Sequence, residues 1–126
     1  MLYFNYYDRW SKWGDELVTS DVMRGFNSLI ILSILMKQDS YGYQISNLIK
    51  EKTHGAYIMK ETTLYSAFNR LEKNALIQSY SKPETKGKTR TYYKITPLGI
   101  EAYFEKLIEW EETQQIIYQF VKGEKE

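Results

Sequence analysis

A mainly α fold carrying one small β-hairpin is the class this sequence predicts, and three observations carry it. Apolar side chains recur every three or four residues through four separate stretches, the period switches to two within residues 77–95, and the helical period returns over residues 97–121. At 126 residues, with 43% hydrophobic and 26% charged side chains, the chain suits one compact domain and excludes a disordered or collagen-like one. Its longest apolar run, Leu29 to Met36 with Ser33 inside, falls far short of the roughly 20 residues that cross a bilayer. Asp8, Arg9, Lys12 and Asp15 interrupt the start of the chain, so no secretion signal is expected. With no cysteine, disulfides, thiolate metal sites and a cysteine nucleophile are excluded, and a cytoplasmic location is expected.

Tyr3, Tyr6, Trp10, Trp13 and Leu17 step by three and four, an aromatic seam that predicts a helix in need of a partner. That partner is the body of the protein or a second chain, and residues 1–18 are read as a dimer arm. Ser20 is a good N-cap with Asp21 in the first turn, and the helix it opens, 20–36, is apolar around most of its circumference and so is expected at the centre. The polar break Lys37-Gln38-Asp39-Ser40 ends it. Ser40 is expected to cap a helix over 41–52, whose Tyr41, Ile45, Leu48 and Ile49 share a face and which Gly55 stops.

Over 61–73 the spacing predicts a helix that turns Leu64, Ala67, Phe68 and Leu71 inward and Thr62, Thr63, Ser66, Asn69 and Arg70 outward. Residues 77–81 and 91–95 read as two strands, joined by a linker in which Pro83 and Gly87 mark the turning points. Thr96-Pro97 is a specific helix start, an N-cap followed by proline at the first helical position. From there Ile100, Tyr103, Leu107, Trp110, Gln114, Ile117 and Val121 form a heptad seam. At 1.5 Å per residue, 97–121 makes a rod of about 38 Å, longer than a small domain. A second chain covering the seam is the expectation, with Gln114 as the polar interruption that fixes register; the competing reading folds the helix back on its own core.

Charge is segregated beneath a net value of +1. Residues 1–57 balance to zero. Residues 58–94 hold Lys60, Arg70, Lys73, Lys82, Lys86, Lys88, Arg90 and Lys94 against Glu61, Glu72 and Glu84, a surplus of five positive charges. Residues 97–126 hold three lysines against seven glutamates. A basic segment in a near-neutral chain is the pattern of a protein that meets a polyanion with one face.

Helix, helix, short connection, helix and basic hairpin is the order of a winged helix-turn-helix, in which the third of these helices fits the major groove of DNA and the hairpin reaches adjacent backbone. The division expected is 1–18 as arm, 19–96 as DNA-binding domain and 97–126 as dimerisation helix and tail. Thr62, Thr63, Tyr65 and Ser66 supply hydroxyls for phosphates or base edges, while Asn69 and Arg70 have the two-pronged geometry that suits adenine and guanine. Lys60 lies beside the helix N-terminus, and Tyr41 is a further phosphate candidate. For Tyr65 a core ring with its hydroxyl at the rim weighs equally; for Arg70 the alternative is a local surface role beside Glu72 and Lys73.

The same residues carry a family resemblance. Met23-Arg24-Gly25, then Tyr41-Gly42 with Tyr43 and Ile45, then Thr63-Leu64-Tyr65 with Ala67 and Arg70-Leu71-Glu72, then Leu76-Ile77, and lastly Arg90 before Tyr92-Tyr93-Lys94-Ile95-Thr96 with Gly99, resemble the PadR family of bacterial transcriptional regulators. The resemblance spans about residues 20–110 and fits the short-tailed, multidrug-responsive members. It implies a homodimer whose last helix packs on the partner's first helix, and a repressor that binds an inverted-repeat operator in double-stranded DNA and is released by a small aromatic ligand or a stress signal. Trp110 stands where such members have a tryptophan lining the dimer cavity, with Leu29, Ser33 and Leu107 as neighbours. Three positions depart from the pattern: Thr89 and Thr91 stand where basic residues are common, so that Lys86, Lys88 and Lys94 share phosphate contacts with Arg90, and Ala75 replaces a glycine before Leu76-Ile77.

An enzyme is not expected. His54 is the single histidine, and neither a nucleophile elbow nor a phosphate loop is present. Glu101, Glu105, Glu109 and Glu112 read as a solvated helix side. No cofactor, metal or membrane partner is expected. The remaining alternative is a winged-helix module that binds protein and not DNA.

Overall fold

The computed structural model describes residues 20–121. The expected arm, 1–18, lies outside them. Five helices and three strands follow in the order α1 (Ser20–Met23), α2 (Asn27–Leu35), β1 (Ser40–Tyr41), α3 (Gly42–Lys52), α4 (Glu61–Lys73), β2 (Ile77–Pro83), β3 (Thr89–Ile95) and α5 (Pro97–Val121). The strands form one antiparallel sheet in the order β1-β3-β2.

The helix expected over 20–36 is two helices. Gly25, which costs about 1 kcal/mol inside a helix relative to alanine, sits in a turn at 24–26 closed by Phe26 N–H donating to the Met23 carbonyl at 2.9 Å. That turn sets Asn27 at the start of α2, where its buried Oδ1 accepts from the Tyr57 hydroxyl at 2.7 Å. Ser40 does not cap α3. It is taken into β1 instead, its hydroxyl donating to the Gln38 carbonyl at 3.3 Å, and Tyr41 precedes the helix with no side-chain cap.

Burial sorts the helical stripes as their spacing requires. Ile31, Leu32 and Leu35 of α2, Ile45 and Ile49 of α3, and Leu64, Ala67, Phe68 and Leu71 of α4 form one core with Tyr57, Met59, Ile77 and Tyr93. Phe68 is completely buried and stacks on Tyr93 with centroids 3.9 Å apart, which pins the recognition-helix candidate α4 to the central strand.

Two helix ends share a geometry that glycine normally supplies. After α3, His54 N–H bonds to the Glu51 carbonyl and Gly55 N–H to the Lys50 carbonyl; after α4, Ala75 bonds to Glu72 and Leu76 to Leu71. These are Schellman closures, and the residues at the left-handed position are His54 (φ 52°) and Ala75 (φ 63°). Ala75 thus keeps the turn that its missing glycine would have made, at the expense of backbone strain. Gly55, also at positive φ, lies one residue beyond the stop position.

The strands each run two residues further than the alternation predicts, because Lys82↔Arg90 and Pro83↔Thr89 extend the pairing toward the tip. Thr96 caps α5 as expected: its hydroxyl accepts from Gly99 N–H at 3.0 Å and donates to the Ala75 carbonyl at 2.7 Å. Gly99 is obligatory, since a Cβ there would collide with the Leu76 carbonyl oxygen. The two ends of α5 differ. Ala102 and Tyr103 pack on the core and Trp110 sits edge-on to Phe26 at 5.0 Å, so the near half folds onto its own domain. Beyond it Ile116, Ile117, Tyr118, Phe120 and Val121 are all more than half exposed.

Candidate nucleic-acid interface

Helix α4 presents the outward face that its sequence predicts: Thr62, Tyr65, Ser66, Asn69 and Arg70 are exposed and Thr63 is half-buried. Thr62, Thr63, Ser66 and Arg70 border a shallow depression of about 330 Å³ together with Arg24 and Asn27. Arg70 is tethered across the domain, an Nη donating to the Ser28 hydroxyl at 3.3 Å, and so is aimed by α2 and not by its helix neighbours. Glu72, the nearby acid, is occupied by the Ser79 hydroxyl at 2.7 Å. Arg24, which pairs with Asp21 at 2.7 Å while both remain exposed, joins this face although the sequence singles it out only within Met23-Arg24-Gly25 and not as a DNA contact. Its place in the turn between α1 and α2, 46 positions from Arg70, hid that it would share a face with α4.

Tyr65 has both of its expected characters. It is 43% exposed, yet its ring lies edge-on to Phe68 at 5.4 Å and its hydroxyl rests against Gly42. A Cβ at position 42 would strike that hydroxyl, which explains why the Tyr-Gly pair at the start of α3 accompanies a tyrosine in α4.

Lys60 precedes α4 with extended backbone and no side-chain cap, and Tyr41 does the same for α3. Two helix N-termini whose first-turn N–H groups receive no side-chain cap are ready donors to phosphate oxygens. Arg90 lies over the Tyr41 ring, 4.1 Å from its centroid, beside one of them. Lys86, at φ 69°, and Lys88 sit at the wing tip around the turn Thr85–Gly87, both exposed.

Surrounding phenols are shifted upward. Tyr80 donates to Asp39 at 2.6 Å, and that hydrogen bond, with burial adding, pushes its pKa up to about 12. Burial first and the nearby Glu84 second raise Tyr92, which donates to that carboxylate at 3.3 Å; burial raises Tyr93.

Of the four effector candidates, Ser33 lines a groove of about 1040 Å³ between α2, α3 and Tyr103, whereas Leu29, Leu107 and Trp110 do not. All four are half-buried. Among the described residues no cluster of three or more His, Cys, Asp or Glu is placed to hold a metal ion, and no helix is long and apolar enough to cross a membrane.

Known proteins share this arrangement. Residues 31–105 match the model of the transcriptional regulator PadR-like family. A solved transcriptional regulator from Clostridium thermocellum is 58% identical with a TM-score of 0.76, over 81% of this chain and 99% of that one. A PadR family transcription regulator from Clostridium difficile is 36% identical with a TM-score of 0.66, covering 75% of this chain and 96% of its own. Bacillus subtilis PadR, solved in complex with operator DNA, shares the fold at 22% identity and a TM-score of 0.59, over 64% of this chain and 46% of that one. With its fold, its outward-facing third helix and more than half its length matched, the chain belongs to the PadR-like family, whose members are transcriptional regulators and not enzymes.

Proposed function

We propose that this regulator is a cytoplasmic, homodimeric repressor that reads an inverted repeat in double-stranded DNA. The observation that carries the reading is the joint placement of the polar face of α4, the two uncapped helix N-termini and Arg90. In it Asn69 and Arg70 read base edges, the hydroxyls of Thr62, Thr63, Tyr65 and Ser66 serve bases or phosphates, and Tyr41, Lys60, Lys86, Lys88 and Arg90 hold the backbone. The exposed apolar far half of α5 supports a second copy, because five large side chains at one helix end are poorly tolerated in water. Two α4 helices related by a two-fold axis then sit about 34 Å apart, one DNA turn.

The effector is a planar aromatic molecule stacked on Trp110, with Leu29, Ser33 and Leu107 beside it at the dimer interface; it favours a dimer geometry that does not fit the operator. Trp110→Ala should abolish quenching by such molecules, and unchanged affinity would discard this site. Selection of bound fragments from genomic DNA tests the main reading: an inverted repeat is expected. With about four phosphates held per subunit, log K should fall with log salt at a slope of roughly −7. A folded dimer that recovers no fragment, or binds with a slope near zero, would instead be a protein-binding module.

A further inference from the structure

One face of the sheet carries a row of three rings, of which only Tyr41 is among the proposed DNA contacts. The register Tyr41↔Tyr92 between β1 and β3, and Tyr80↔Tyr92 between β2 and β3, puts three tyrosines side by side across the whole sheet. Tyr92 is the middle ring, edge-on to Tyr41 at 5.2 Å and stacked with Tyr80 at 5.8 Å. Both of the last two hydroxyls are latched by carboxylates from outside the paired strands, Tyr80 to Asp39 and Tyr92 to Glu84. On the next row toward the tip, Lys82↔Arg90 are paired, and each cation lies over a ring of the row: Arg90 over Tyr41 at 4.1 Å and Lys82 over Tyr92 at 4.8 Å.

We propose that the Tyr41–Tyr92–Tyr80 row is a strut that fixes the directions of Arg90 and Lys82, with Tyr92 as its central positioning residue. The physical reason is entropic. Arginine and lysine both lose rotamer freedom when held, and neighbouring Lys82 and Arg90 also repel each other. Rings beneath both cations hold them apart and pre-aimed before any phosphate arrives, so that binding immobilises less. The latches serve the same end, since a phenol bonded to Asp39 or Glu84 cannot rotate its ring out of the row. Asp39 lies in the connection between α2 and β1, and through it the wing is referenced to the helix-turn-helix body.

This proposal rests on the DNA-binding reading, and its test separates the two. Affinity for a duplex recovered in the fragment selection is measured by fluorescence anisotropy, with circular dichroism verifying the fold of each variant. Tyr92→Leu should weaken binding about fivefold, and Tyr92→Phe, which keeps the ring, should restore most of the loss. In a background of Lys82→Ala with Arg90→Ala the same Tyr92→Leu change should cost less than about twofold, because a residue acting through those cations has nothing left to aim. Full additivity in that background, or no loss from Tyr92→Leu alone, overturns the strut while leaving DNA binding intact. Failure of the unmodified protein to bind any duplex overturns the DNA reading instead, and the strut with it.

Discussion

The recognition helix and the wing belong to one proposed reading surface, yet they are held by different physics. Four inward side chains of α4 are almost wholly buried, so the helix is placed by apolar packing and its outward residues inherit a rigid base. Strands β2 and β3 give the core Ile77 and Tyr93, with Ile95 half-buried against it; beyond them the wing is ordered by its ladder, its tyrosines and the acceptors Asp39, Glu72 and Glu84. Breaking the first should unfold the domain. Breaking the second should loosen a projection and leave the body standing.

Phe68→Ala tests the helix side most severely: removal of a fully buried ring stacked on Tyr93 should cost about 3–5 kcal/mol, read as a large fall in the melting temperature. A loss below 1 kcal/mol would deny that packing places α4. Gly42→Ala forces a methyl group into the Tyr65 hydroxyl and should cost about 1–3 kcal/mol, with a smaller loss in a Tyr65→Phe background. Equal losses in both backgrounds would mean that the contact is not the cause. Ala75→Gly should stabilise by about 1 kcal/mol in denaturant titration, because the left-handed turn at the end of α4 strains any Cβ.

On the wing side the effect is smallest and is read by pH. Tyr80 ionises near its ordinary 10 when unfolded and about 12 when folded, so the unfolded chain releases its proton first and stability is lost as pH rises between those values. Asp39→Asn removes the carboxylate that raises it, and phenolate absorbance should then show one tyrosine titrating earlier, with the midpoint of thermal unfolding at neutral pH little changed. A large drop in that midpoint would show that the wing is as integral to the fold as the helix.

Both ends of α4 and the start of α5 were legible because each is written locally: a stripe with helical period fixes the first, and Thr96-Pro97 fixes the second. Strand β1 was not, since two residues carry no period and Ser40 offers a capping signal that pairing with Tyr93 overrides. The turn at 24–26 was hidden because one glycine among apolar neighbours reads as a tolerable defect. At the site, the polar face of α4 was plain from side-chain type and spacing. The tether from Arg70 to Ser28 and the tyrosine row both depend on register and long-range closure, which no window of sequence contains.

Thr96 gives α5 its bearing. Its hydroxyl ties the close of α4 to the opening of α5, and Ala102, Tyr103 and Trp110 then hold the near half of the helix against the domain, so its direction is fixed. A difference of about 10° in that direction would displace the far tip by roughly 7 Å, for a length of about 38 Å. The cap at one end, and the packing just beyond it, thus set where the exposed apolar side chains of the other end are presented.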